Sequence, residues 1–339
     1  MELLANITRF NNLMTNYYLD CLANLGLKKL IDSDYSLNYK HAKYNVKKLS
    51  DLITSGEFCP NFTRNVCQML NNPNSHADLG NKEVKLFDGI KVSIINDKKL
   101  KDQKTIIYLS GGAFIMSSID TYQVQKSLFT ISERLNCRII TIGHDNSPEV
   151  KLTEQVDQSL RVYKYILNNN IASINNIVVM GDSSGGNIAS LMVNKALKEK
   201  LPMPKGLVLV SPYIDTECKN INPEMFKKDV VMGKYINREF INGWFKENVV
   251  GDYNFNSPRV NPMHANWQGM PKTFIIVGEN EIILESIKDF IKKHKNKCEL
   301  ELFVGVNMMH IYPLLTEYFP EAIEGMGIVI YKIKEFFNN

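Results

Sequence analysis

The chain has 339 residues, 44% hydrophobic and 22% charged, which is enough apolar material for a sizeable globular core. Forty basic against thirty-six acidic residues leave a net charge of +4, too small and too evenly spread for a nucleic-acid partner or an anionic membrane. Six cysteines (Cys21, Cys59, Cys67, Cys137, Cys218, Cys298) lie apart, with no C-x-x-C pair or Cys/His cluster, against a zinc site or a disulfide framework.

The opening residues Met1–Arg9 carry neither a basic leader nor a long apolar run, and no uncharged apolar stretch reaches about 18 residues. The expectation is a soluble, cytoplasmic protein without a transmembrane segment. Residues 1–80, rich in Asn, Tyr and Leu at helical spacing, read as an N-terminal helical cap segment. Val84 to Ile95 reads as a strand or a hairpin turning at Asp88-Gly89. Apolar, β-branched runs follow at 105–109, 138–142, 177–180, 206–210, 273–277 and 299–304. Such runs suit a parallel sheet covered on both faces.

Between the runs lie amphipathic helices. Val124, Leu128, Ile131 and Leu135 form one stripe, with Asp120 or Thr121 as cap. Leu152, Val156, Leu160, Tyr163 and Leu167 form the next. Ile188, Leu191, Met192 and Leu197 make a third, Ile287, Phe290 and Ile291 a fourth, and 323–337 a C-terminal helix. Strand–helix alternation predicts an α/β fold with a doubly wound, mostly parallel sheet over 81–339. The aromatic, irregular stretch at about 213–260 interrupts it and reads as a cap insertion. The lysine-rich stretches 98–104 and 288–297 read as solvated faces.

Gly181-Asp182-Ser183-Ser184-Gly185 sits between a strand and a helix, the context that gives a G-x-S-x-G motif its meaning. A nucleophilic hydroxyl must project from a sharp turn at the carboxyl end of a strand. The helix beginning there directs free N–H groups at the same space, favouring developing negative charge. Ser183 is therefore the candidate nucleophile, with Ser184 one residue past the motif position. After the run 105–109, Ser110-Gly111-Gly112-Ala113-Phe114 reads as an oxyanion loop. The N–H groups of Gly111, Gly112 and Ser184 are the expected donors.

These loops together resemble the hormone-sensitive-lipase-like family of serine esterases and lipases, which have the α/β-hydrolase fold with a helical lid. His144-Asp145-Asn146-Ser147-Pro148-Glu149 resembles that family's Y-R-L-A-P-E segment, and Ser211-Pro212-Tyr213-Ile214-Asp215 its S-P-W-x-D segment. Asp157, Ser257-Pro258 and Met270-Pro271 are also placed as in the family. The resemblance spans roughly residues 84 to 335. The chain departs from the family at Ser110, where the loop usually begins with His.

The general base must follow the last strand, and of six histidines only His310 does. Its surroundings resemble the family's G-M-x-H-x-F stretch. Aligning Ile283 with the Leu of the family's D-x-L-x-D-E pattern puts Glu281 at the acid position, with Glu279 as the rival. The resemblance implies acyl transfer from a small-molecule ester through an acyl-enzyme, with no metal or organic cofactor. Both flanking segments would form a lid, and Tyr17, Tyr18, Phe58, Phe62, Trp244 and Phe245 are candidates for an apolar pocket. Two alternatives stay open: an amidase or deacetylase with the same machinery, and a ligand-binding receptor on a hydrolase scaffold. The sequence allows a homodimer without specifying one.

Overall fold

The computed structural model describes residues 38–40, 42–44, 47, 82–116, 122–234, 236–316 and 318–338, all within the unit Asn38–Asn339. Most of the expected N-terminal cap segment, the predicted helix cap at Asp120 or Thr121, and Tyr17, Tyr18, Phe58 and Phe62 lie outside these residues.

Eight strands form one sheet: β1 (Lys82–Phe87), β2 (Ile90–Ile95), β3 (Thr105–Leu109), β4 (Arg138–Gly143), β5 (Ile177–Asp182), β6 (Gly206–Val210), β7 (Thr273–Gly278) and β8 (Leu300–Gly305). Their spatial order is β1-β2-β4-β3-β5-β6-β7-β8. The hairpin pairs antiparallel, and β2 pairs antiparallel with β4. From β4 to β8 every pairing is parallel. The turn at Asp88-Gly89 is as expected, both residues having positive φ.

Four longer helices connect the parallel strands, α1 (Tyr122–Leu135), α2 (Leu152–Asn168), α3 (Ser183–Lys198) and α4 (Leu284–His294), and a fifth, α5 (Pro320–Asn338), follows the last strand. Every residue of β3, β5 and β6 is buried, as strands covered on both faces require. Side chains alternate across the pleat. Ile107, Leu109, Val179, Leu207, Leu209 and Ile275 join one core cluster with the apolar stripes of α2, α3 and α4. The alternate residues are equally buried against the other helical layer, where Phe336 of α5 lies over Gly206. Each such apolar side chain contributes about 1.5–3 kcal/mol on burial. Asp157 on α2 forms an ion pair with Lys195 on α3.

The stretch 213–260 lies between β6 and β7 and contains short helices at Met225–Lys228, Arg238–Phe240 and Ile241–Val250. The last is kinked at Gly243, whose φ/ψ of −95° and −107° is not helical. Arg238 ties this stretch down by donating to the carbonyls of Glu217, Cys218 and Lys219. None of the helices is long and apolar enough to cross a membrane, among the described residues.

Candidate active site

The parallel strands all deliver their loops to the same end of the sheet, so residues far apart in sequence converge there. Ser183 stands where β5 turns into α3, with φ of 50°, a left-handed conformation that costs a serine energy. What holds the turn is its tight packing. A side chain at Gly185 would run into the Leu109 carbonyl and the Ser110 backbone, so α3 approaches β3 only because glycine stands there. The Ser183 carbonyl is held by the Tyr213 N–H at 2.9 Å.

His310 follows β8 and Glu281 follows β7. The structure brings both to Ser183, in one unbroken line. His310 Nε2 lies 2.9 Å from Ser183 Oγ, and Nδ1 lies 2.6 Å from Glu281 Oε2. The carboxylate can only accept, so Nδ1 carries the proton and Nε2 is left to accept from the serine hydroxyl. Glu281 has 0% exposure. Its other oxygen, Oε1, accepts from Ser211 Oγ at 2.7 Å and from the Gly278 N–H. The Ser211 hydroxyl in turn accepts the Ile311 N–H at 3.0 Å, linking the acid to the backbone beside the base. The rival acid, Glu279, points elsewhere and accepts the Asn307 N–H at 2.8 Å.

Burial, the largest single influence on His310, disfavours its protonated form. The Glu281 carboxylate outweighs it, joined by Asp229 and Asp182, and the imidazole is held above its ordinary 6.5. Burial likewise pushes the Asp182 carboxyl up, against the opposing hydrogen bonds of Tyr108 and Gly111.

The oxyanion loop differs from expectation at one residue. The Gly111 N–H donates to Asp182 Oδ1 at 2.7 Å, and the same oxygen accepts the Tyr108 hydroxyl. Gly111 thus anchors the loop instead of facing a substrate. Gly112 has φ of 135°, open only to glycine, and Ala113 follows with φ of 53°. Neither of their N–H groups has a partner among the described residues. The Gly-Gly pair carries no sign in the sequence that the N–H of Ala113 stays open, and only the carboxylate of Asp182 reveals which N–H of the loop is already used. Beyond it, the Phe114 carbonyl accepts the Ser147 N–H at 2.9 Å and Gln155 Nε2 at 2.9 Å. The loop is therefore gripped on both sides although it begins with Ser110 rather than His. Next to it, Phe114, Tyr213 and Phe245 meet edge to face, with ring centroids 5.7–6.0 Å apart. Trp244, also named from the sequence, stacks on Phe240 instead.

A mostly parallel sheet with a serine at the sharp turn between its β5 strand and the following helix defines an α/β hydrolase. Comparison with known proteins agrees. A family model described as the alpha/beta hydrolase fold matches residues 106–314. An esterase of Acinetobacter venetianus is 26% identical over 246 residues, covering 70% of this chain and 78% of that protein. The crystal structure of an esterase/lipase from an uncultured bacterium aligns with a TM-score of 0.79 at 20% identity, over 90% of this chain and 100% of that one. An esterase of the bacterial hormone-sensitive lipase family aligns with a TM-score of 0.76 at 21% identity, over 90% of this chain and 98% of that one. The chain belongs to the α/β-hydrolase-fold family and falls among its esterase- and lipase-like hydrolases.

Proposed function

We propose that this protein is a serine carboxylesterase that cleaves small or medium acyl esters through an acyl-enzyme. The observation that supports the reading is the line Ser183–His310–Glu281, with contacts of 2.9 and 2.6 Å. Ser183 Oγ attacks the ester carbonyl carbon as its proton passes to His310 Nε2, and Glu281 holds the imidazolium that forms. The N–H groups of Gly112, Ala113 and Ser184 receive the tetrahedral oxyanion, the last of them in the first turn of α3, where the helix dipole favours negative charge. Collapse expels the alcohol, which takes the proton from His310. Water then attacks the acyl carbon, gives its proton to His310, and the acid leaves as Ser183 regains its hydrogen.

The stretch 213–260 forms a cap over the site in this reading. The buried trio Phe114, Tyr213 and Phe245 supports a short acyl pocket, because three rings already fill space beside the oxyanion loop. Buried free thiols at Cys137, Cys218 and Cys298 fit a reducing compartment and support a cytoplasmic location. Phe303 and Val306 at the outer strand β8, with Ile323 and Tyr331 on α5, are exposed apolar side chains, which supports a homodimer.

The experiment is hydrolysis of p-nitrophenyl acetate, butyrate and decanoate by the wild type and by Ser183→Ala. Turnover of the short esters that vanishes on substitution is expected. Equal turnover by Ser183→Ala would overturn the reading, and a preference for decanoate would overturn the short pocket.

A further inference from the structure

We propose that Asp229, carried by the stretch between β6 and β7, is a positioning residue for the Ser183–His310–Glu281 line: its carboxylate grips the backbone of the Glu281 loop and adds a second fixed negative charge to the buried surroundings of His310. The inference rests on the reading of the site given above. Asp229 is 53 residues from that loop and 4% exposed. Its Oδ1 accepts the N–H groups of Val231 and Met232, both at 2.9 Å, and so caps its own turn. Its Oδ2 reaches across to the Ile282 N–H, also at 2.9 Å.

The bond to Ile282 falls on the peptide unit immediately after Glu281. The residues before it are held from the other side, Glu279 N–H by the Gly305 carbonyl at 2.8 Å and Asn280 N–H by the Met308 carbonyl at 3.0 Å. Glu281 is therefore clamped between the loop that carries His310 and the stretch that carries Asp229. Apolar packing would secure the two elements with less cost than a buried carboxylate does. Burial, with Glu281 beside it, pushes the Asp229 carboxyl above its ordinary range, while His310 and the backbone N–H groups work against that shift and favour the charged form. Three N–H donors converge on the two oxygens, the pattern that suits an ionised acceptor.

The charged and titratable groups facing this cluster come from every element packed on it. Glu281 comes from the acid loop, His310 from the base loop and Asp182 from the β5 turn. Lys43 approaches Asp229 from the helical stretch near residues 42–44, and Lys228 stands beside Asp229 on its own element. Burial holds the Lys43 ammonium below its ordinary range, and Asp229 works against that shift. A fixed carboxylate of this kind favours imidazolium over imidazole. His310 becomes imidazolium as Ser183 attacks, so Asp229 acts on that step, and in the resting enzyme it raises the pH at which the neutral imidazole becomes available. It also makes alignment of the acid depend on the seating of the 213–260 stretch.

The test measures the rate at which a fluorophosphonate probe modifies Ser183 between about pH 5 and 9, which needs no ester substrate. Wild type, Asp229→Asn, Asp229→Ser and Asp229→Glu are compared, each with a thermal melt. Serine keeps an acceptor for the Val231–Met232 turn without the charge. The Asn and Ser variants should react about tenfold more slowly, with the midpoint of the pH profile lowered by about one unit, and Glu should restore the midpoint toward wild type. A midpoint that does not move, with rates that fall only as the melt falls, would overturn the inference; so would loss of folding in all three variants. Failure of the wild type to react at all would sink the serine-hydrolase reading and this inference with it, whereas a reactive wild type and unshifted variants would sink the inference alone.

Discussion

Replacing Glu281 by aspartate, the residue the family pattern usually carries at this position, is expected to lose activity. Glu281 uses both oxygens: Oε2 on His310 Nδ1 at 2.6 Å, Oε1 on the Ser211 hydroxyl at 2.7 Å and on the Gly278 N–H. Deleting one methylene withdraws the carboxylate by up to about 1.5 Å. The contact to Nδ1 would then stretch from 2.6 Å to about 4 Å, beyond hydrogen-bonding range. A charge-assisted hydrogen bond is worth about 1.5–3 kcal/mol, which corresponds to a loss in kcat of roughly 10- to 150-fold. The Ser211 and Gly278 donors, both buried, would each lose an acceptor, destabilising the fold by about 1–3 kcal/mol apiece. Glu281→Gln keeps the reach but removes the charge, and sets the outer limit at a loss of about ten-thousandfold. The assay is steady-state hydrolysis of p-nitrophenyl butyrate together with a thermal melt. A Glu281→Asp enzyme with kcat within about twofold of wild type and an unchanged melt would refute the argument from reach.

The remaining expectations concern pH, packing and a distant ion pair. His310 must be neutral to accept a proton, so kcat/KM should rise with pH and reach half its plateau above 6.5; a midpoint below that value contradicts the raised imidazole. Because its value in the folded state is raised, protonated His310 stabilises the fold fully below its unfolded value and loses that contribution as pH rises through the folded one. Melting temperature measured across that window should therefore show a declining contribution, absent in His310→Gln. Gly185→Ala drives a β-carbon into the backbone of Leu109 and Ser110 and should abolish both activity and a cooperative melt. Gly327→Ala, inside α5 with nothing within 4 Å, should melt no lower than the wild type. Arg138 starts β4 at the end of the sheet opposite the site, and donates to Asp97 at 2.9 Å and to the Ile171 carbonyl at 2.6 Å. Arg138→Ala should cost about 3–5 kcal/mol in urea unfolding while leaving kcat at the wild-type level; a fall in kcat of the folded variant would contradict that separation.

Much of this molecule is legible in its sequence. All six apolar runs became strands within two residues of their expected ends, because a strand buried on both faces must be apolar almost without interruption. Ser183 could be named from its glycine motif between a strand and a helix and His310 from its place after the last strand, since every parallel strand delivers its carboxyl end to the same edge of the sheet. Glu281 was distinguishable from Glu279 only by aligning a pattern; the structure separates them by direction, one toward His310 and the other toward Asn307.

The local sequence determined what depends on neighbours along the chain: strand and helix periodicity, the glycine turn around Ser183, and the hairpin at Asp88-Gly89. Tertiary structure decided what depends on which polar groups are already taken. Gly111 and Gly112 look alike as a pair, yet Asp182, 71 residues away, claims the N–H of the first. Ser211 is one residue of a motif until its hydroxyl meets Glu281 and Ile311, and Asp229 is an unremarked acid in an irregular stretch until its second oxygen finds Ile282. Hydrogen bonds of this kind carry no periodicity. They are set by where distant backbones come to rest, and a chain read one residue at a time has no signal for them.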